Sequence, residues 1–373
     1  MRILLLGEYS NVHATLAVGL RRLGHEVVVA SNGDFWKDYP RDTDLSRSPG
    51  RFGGMRLLAK VLTCLPSWRG FDVVQLINPM FLELKAERIA AVYHYLRRHN
   101  GSMFLGAFGM DYYWVHENIT RKPLRYSDFN FGNRLRDDRD ALIQRSDWLG
   151  TTKERLNKAI AQDCDGIIAG LYEYWACYQP LYPHKTTFIP FPICPRPAPA
   201  EPDRVHQPLR IFIGISRNRS AYKGTDVMLA AAKALKKAYP SRMDLRVVEG
   251  LPFEEYVRLM NESDVILDQL YSYTPAMNAL EAMNRSIVVV GGGEPENYDI
   301  LHEQQLRPIV NVLPTYESVY QQLEQLVLHP EHVADLERQG RAYIAKHHDY
   351  MKVARQYEAF YLQHMKKKSR KVW

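Results

Sequence analysis

The sequence predicts an α/β protein built from two doubly wound parallel sheets, and three observations carry that expectation. Short apolar runs of strand length alternate with helix-period segments through both halves of the chain. Seven prolines between residues 190 and 208 interrupt the alternation once, a density that no helix or central strand tolerates. Beyond Pro330 the alternation stops and the pattern is helical.

Taken in order, Arg2 to Leu6 is an apolar run closed by Gly7, as for a strand buried on both faces. Leu16, Leu20 and Leu23 recur at helical spacing, and Gly24 stands where a helix end takes a left-handed residue. Val27 to Ala30 is the next strand, completing a β-α-β unit and hence a parallel pair with a right-handed crossover. Residues 72–77 read as strand, 85–98 as helix, and 103–105, 165–169 and 187–189 as strands. Residues 112–148 are aromatic and charged without a period, which reads as a functional loop region with some helix.

The proline-dense stretch is the interdomain linker and puts the boundary near residue 200. After it come strand 209–214, helix 225–237, strand 245–248, helix 254–261, strand 264–267, helix 276–284 and strand 287–290, running into Gly291–Gly293. In 350–364, Val353, Tyr357, Phe360, Tyr361 and His364 form one stripe that needs a groove to bury it. The expected division is 1–200, 201–340, and 341–373 as closing helix and tail.

Composition narrows the function classes. A chain of 373 residues with 46% hydrophobic and 24% charged residues is not disordered. Its opening apolar run is too short for a signal-peptide core, and no stretch reaches the ~20 apolar residues of a membrane span, so a cytoplasmic location is expected. Cys64, Cys164, Cys177 and Cys194 form no C-x-x-C pair, which favours buried free thiols over zinc or disulfides. Of the net charge of +7, five units come from Lys366, Lys367, Lys368, Arg370 and Lys371. The balanced body argues against nucleic-acid binding. The tail suits peripheral contact with anionic lipid at the inner membrane face.

Three motifs offer chemistry. Gly7-Glu8-Tyr9-Ser10-Asn11 lacks G-x-G-x-x-G, so a dinucleotide fingerprint is missing, yet a glycine before a helix N-terminus admits an anion or sugar. Arg217, Arg219 and Lys223 follow the first strand of the second domain and precede a helix, a pattern suited to a diphosphate. In Tyr273 to Met283, Pro275 fits a first helical turn, leaving amides near Ala276, Met277 and Asn278 for an anion. Glu281 further along is an acceptor-only group that suits ribose hydroxyls. Asp138-Arg139-Asp140 imitates a metal-binding D-x-D but reads as surface, and no metal site is expected.

Strand, R-x-x-x-x-x-K-G, NESDVILDQL, ALEAM and an apolar strand with glycines, in that order, resemble the family-four glycosyltransferases of the two-Rossmann GT-B fold. ILLLGEYSNVHATLAVGLRRLGHEVVVAS is similar to that family's opening unit, and HHDYMKVARQYEAFY to its closing helix. The resemblance implies two facing Rossmann-like domains, a last helix crossing back to the first, and retaining, metal-independent transfer of a hexosyl group. The donor would be a nucleotide diphosphate sugar, with no other cofactor, and the acceptor a hydroxyl of a glycan or lipid-linked glycan in polysaccharide biosynthesis. It further implies that Lys223 with Arg217 or Arg219 holds the diphosphate, that Glu281 contacts the ribose, and that Glu249, Gly250 and Leu251 meet the base. Tyr273 stands where the family carries a sugar-contacting glutamate, so the donor sugar stays open. Asp111 and His116, with Gly7 and Glu8, are the candidates for sugar or acceptor contact. Two rivals share the architecture: a nucleotide-sugar 2-epimerase, and a catalytically silent sugar-nucleotide-binding subunit.

Overall fold

The structure is a computed structural model and describes residues 1–197, 205–215, 220–251 and 253–365. The chain forms two compact units, one of Met1–Glu117, Gln144–Pro192 and Tyr350–Trp373, the other of Asn118–Ile143 and Ile193–Asp349. Residues 118–143, expected with the first domain, group with the second, and the later break falls at 192/193 rather than near 200.

Strands in chain order are β1 (Arg2–Leu6), β2 (Glu26–Ser31), β3 (Thr43–Asp44), β4 (Val73–Leu76), β5 (Ser102–Ala107), β6 (Asn130–Phe131) and β7 (Arg134–Leu135). They continue with β8 (Gly166–Ala169), β9 (Thr186–Phe188), β10 (Leu209–Ile215), β11 (Met243–Glu249), β12 (Val265–Leu267), β13 (Val288–Gly291) and β14 (Ile309–Asn311). The first unit holds a parallel sheet ordered β3-β2-β1-β4-β5-β8-β9. The second holds a parallel sheet ordered β11-β10-β12-β13-β14, with β6 and β7 as a separate antiparallel hairpin.

Both sheets are Rossmann-like, and burial explains their composition. Ile3, Leu4, Leu5 and Leu6 are wholly buried because helices cover both faces of a parallel sheet. Ile211 and Ile213, with Val265, Leu267, Val288 and Val290, pack in the second core against Met228, Ala231, Ala232 and Leu235 of the helix Thr225–Ala238. Strand order reverses between β1 and β4 in one sheet and between β10 and β12 in the other. Ligands of open α/β sheets bind outside the carboxyl ends of the strands at such switch points.

The last helix, Tyr350–His364, packs within the first unit. Of its predicted stripe, Val353, Tyr357, Phe360 and Tyr361 are buried and His364 half-buried, with Phe104 4.7 Å from the Tyr361 ring. A Cβ at Gly19 would lie 2.7 Å from the Ala354 Cβ and 2.8 Å from the Tyr350 carbonyl, so glycine lets the helix Val12–Arg22 approach this one. His25 Nε2 pairs with Glu358 at 2.8 Å nearby.

Two expectations need correction. Residues 112–148 are more ordered than an irregular loop, comprising helices Tyr112–Ile119 and Arg139–Trp148 around the β6–β7 hairpin. Cys164 and Cys177 are buried thiols, but Cys64 is half-buried and Cys194 exposed, the latter because it sits in the proline-rich connection. Among the described residues no helix is long and apolar enough to cross a membrane. The basic tail from Lys366 onward lies outside the described residues.

Candidate functional site

At the switch point of the second unit, Lys223 and Asn278 from the predicted donor set meet around one aspartate. Lys223 ends a single helical turn, Ser220–Lys223, that follows β10; Arg217 and Arg219 lie outside the described residues. Gly224 follows at φ +70°, and any Cβ there would lie 2.6 Å from Leu270. The Lys223 carbonyl accepts from the Leu270 amide at 2.9 Å, tying the turn after β10 to the loop after β12.

Asp268, directly after β12, is the buried polar centre of this region. Its Oδ1 accepts from Asn278 Nδ2 at 2.8 Å, and Asn278 Oδ1 accepts from the Tyr256 hydroxyl at 3.3 Å. Burial raises the Asp268 carboxyl above its ordinary range, opposed by the Asn278 bond and by the charge of Lys223. Lys223 and Asn278 are thus brought together around an aspartate that motif reading quoted without giving it a role.

Ala276 is the extended N-cap of the helix Met277–Asn284, which places the amides of Met277 and Asn278 in the first turn, where no intrahelical acceptor exists. Pro275 precedes the cap instead of opening the helix. Glu281 is engaged: Arg285 pairs with it at 2.6 Å, Arg196 at 3.1 Å, and Asn284 donates to it at 3.2 Å. Glu249 ends β11, an edge strand, and is exposed along with Gly250, while Leu251 is half-buried. These three stand at the same carboxyl edge, at the margin of the sheet.

Tyr273 leads to a second cluster that sequence reading missed. Its hydroxyl donates to Glu296 Oε1 at 3.0 Å, and the Arg125 guanidinium lies 5.1 Å from its ring centre. Arg125 also bonds Glu296 at 2.6 and 3.1 Å and Glu294 at 2.6 Å, while the Tyr126 hydroxyl donates to Glu294 at 2.7 Å. Burial would raise the Glu296 carboxyl, but its bonds to Arg125 and Tyr273 leave it below the usual range. Further contacts repeat the theme, with the Tyr222 hydroxyl donating to Asp128 at 2.6 Å and Arg136 lying 4.3 Å from the Tyr271 ring. Residues 118–143 therefore reach the loops after β10, β12 and β13, along the carboxyl edge of the second sheet. Gly292 makes the β13 loop possible, since a Cβ there would lie 1.8 Å from the Ser272 carbonyl.

In the first unit, the switch point between β1 and β4 holds Gly7 and Glu8. Gly7, at φ +83°, has no room for a side chain because Ile77 Cγ2 would be 2.3 Å away. Glu8 is buried, and its two oxygens accept from the His13 amide at 3.2 Å and the Ala14 amide at 2.8 Å, capping the helix Val12–Arg22. Burial outweighs those bonds and pushes its carboxyl up to about 8, with Asp34 adding to the rise. The buried His13 ring sits 2.8 Å from the Gly7 carbonyl, and burial pushes it down to about 3.

Asp111 follows β5 at the same edge and is also buried. It accepts from the Tyr178 hydroxyl at 2.6 Å and the Trp114 amide at 2.8 Å, and burial pushes it up to about 6. Asn157 braces the arrangement by donating to Tyr178 at 3.0 Å and accepting from the Tyr112 amide at 2.9 Å. His116 is half-exposed, stacked 5.1 Å from the Tyr112 ring and 3.0 Å from Glu117. Asp138 bonds Arg136 at 2.8 Å and the Ala141 amide at 3.1 Å, capping a helix. Among the described residues no three His, Cys, Asp or Glu side chains cluster as a metal site.

Comparison with known proteins follows this geometry. Residues 215–359 match the family described as glycosyl transferase-like. No curated protein matches the sequence. Similar solved structures include sucrose-phosphate synthase from Thermosynechococcus elongatus, with TM-score 0.59 and 15% identity over 97% of this chain and 98% of that one. HepE from Anabaena, in complex with UDP and glucose, gives TM-score 0.59 and 13% identity over 97% and 100%. UDP-GlcNAc 2-epimerase from Neisseria meningitidis, bound to UDP-GlcNAc, gives 0.53 and 12% over 97% and 100%. The chain has the GT-B fold, and its residues 215–359 are similar to the glycosyl transferase-like family.

Proposed function

We propose that the protein is a glycosyltransferase that moves a hexosyl group from a nucleotide diphosphate sugar to a hydroxyl of a glycan or lipid-linked glycan, with retention and without a metal. One observation supports this above the others: the glycosyl transferase-like match begins at the end of β10 and spans both loops of the second switch point, where Lys223 and Asn278 meet. Solved relatives of the fold hold UDP, so a uridine donor is the first to test.

Departure of a nucleoside diphosphate develops negative charge on its phosphates. Lys223, with Arg217 and Arg219 from the same connection, supplies cations, and the first-turn amides of Met277 and Asn278 add oriented dipoles. Each such donor contributes roughly 3–4 kcal/mol to the transition state. Asp268 and Asn278 position this edge, Glu281 takes the ribose, and Glu249 to Leu251 border the base. Gly7, Glu8, Asp111 and His116 form the acceptor or sugar side in the first unit. The last, undescribed residues supply a basic contact with lipid, and the work is done at the inner membrane face in polysaccharide assembly.

The test is UDP binding by calorimetry and UDP release from UDP-hexoses, with and without EDTA, in the parent and Lys223→Ala. Turnover at least 100-fold lower in the variant, with an unchanged melting temperature and no effect of EDTA, is expected. Parent-level turnover in Lys223→Ala overturns the assignment. The epimerase neighbours favour one second reading, isomerisation of the donor. Incubation of donor alone, followed by NMR of its sugar protons, separates the two, since only an epimerase yields the 2-epimer.

A further inference from the structure

The helix Gly53–Cys64 of the first unit buries only a narrow stripe, Gly53, Leu57 and Val61. Its outward arc carries large apolar residues where a solvated helix would carry polar ones: Phe52 just before it, Met55 and Leu62 are each more than half exposed. At 100° per residue, Met55 and Leu62 fall on one flank of that arc and Arg56 and Lys60 on the other, with Phe52 between. Trp36, in the connection from β2 to β3, is 62% exposed, and its loop is joined to the approach of this helix by Ser46 Oγ donating to the Asn32 carbonyl at 3.4 Å.

Charge is the second, independent observation. From residue 45 to residue 71 the sequence holds five Lys and Arg and no Asp or Glu. This run of one sign coincides with the exposed apolar arc, and Asp44, the acidic residue just before it, lies 3.5 Å from Lys60 at the surface.

We infer that this face docks on an anionic lipid bilayer, with Phe52, Met55 and Leu62 entering the headgroup boundary and Arg56 and Lys60 meeting lipid phosphates. An aliphatic-aromatic face flanked by cations, with tryptophan beside it, is the composition of an interfacial helix. A second copy of the chain fits poorly, because a two-fold interface would set this face's cations against their own copies. Acidity in the partner is required, and a planar surface suits the outward arc of a single helix. The inference is separate from the reaction proposed above and from the basic tail.

Flotation of the full chain with vesicles tests it. Vesicles of phosphatidylcholine alone are compared with vesicles containing 30% phosphatidylglycerol, using Met55→Ser/Leu62→Ser, Arg56→Gln/Lys60→Gln, and a chain ending at His364. Binding to the anionic vesicles only is expected, falling on the order of tenfold or more in each double variant and kept by the shortened chain. Fivefold salt should weaken it. All four positions are exposed, so melting temperatures within about 2 °C of the parent should show that the variants fold. No binding to anionic vesicles, equal binding to both vesicle types, or loss only in the shortened chain overturns the inference. So does a dimer, seen by light scattering, that the same substitutions abolish while lipid binding stays unchanged.

Discussion

Glu8 makes the stability of the first unit fall as pH rises through neutrality. Its carboxyl holds a proton up to about pH 8 when folded, against 4.5 ordinarily. Between those values the folded chain binds more protons than the unfolded one. Stability therefore declines with pH, by at most about 1.4 kcal/mol per unit. His13 works in the opposite sense: folded it titrates near 3 rather than 6.5, so stability rises with pH between those values. The two slopes oppose each other up to about 6.5, where His13 is finished. Asp111, pushed up to about 6, is finished by then too. From 6.5 to 8 the Glu8 slope is the one of these three that remains, which amounts to about 2 kcal/mol.

The assay is urea unfolding at half-unit steps across that window, comparing the parent with Glu8→Gln. Tryptophan fluorescence isolates the relevant unit, because all six tryptophans fall within its segments. The amide cannot reproduce both bonds to the His13 and Ala14 amides, so a constant offset is expected and only the slope is diagnostic. The parent should lose about 2 kcal/mol relative to the variant between pH 6.5 and 8. Parallel profiles would refute the reasoning and mean that the capping bonds, rather than burial, govern the carboxyl.

Two further perturbations address the second unit and the glycines. Arg125→Ala removes three short bonds to Glu294 and Glu296 and leaves Glu294 buried with Tyr126 alone. Because the Arg125 side chain is 55% exposed, water refills part of the loss, giving about 2 kcal/mol and a melting shift of roughly 4–8 °C by circular dichroism. Gly292→Ala places a Cβ against the Ser272 carbonyl, a clash with backbone that should cost several kcal/mol in denaturant titration. Gly54→Ala, whose Cβ would have no neighbour closer than 3.6 Å, should instead leave stability equal or raise it by roughly 0.5–1 kcal/mol.

The sheets were legible because a strand covered on both faces must be apolar along its length, as Ile3 to Leu6 and Val288 to Val290 are. The closing helix was legible for a related reason, its buried stripe being wide. The helix Gly53–Cys64 was not, since it buries only Gly53, Leu57 and Val61 while Met55 and Leu62 stand among the exposed Arg56 and Lys60. At the site, Lys223 and Asn278 followed from where cations and helix starts fall after strands. Asp268 needed the fold, because a lone aspartate after a strand looks the same whether buried or solvated. Arg125 with Glu294 and Glu296 was beyond pattern reading altogether, the partners being 169 and 171 residues apart.

The backbone passes from one unit to the other four times, at 117/118, 143/144, 192/193 and 349/350. Neither half of the gene product is consequently a self-sufficient module. Cutting near residue 200 would strip the rear half of the residues that bind Glu294 and Tyr222, and would leave the front half without the helix that seals Gly19 and Phe104. During synthesis the front half stays unsealed until the helix Tyr350–His364 leaves the ribosome, so its maturation waits for the second unit to be made.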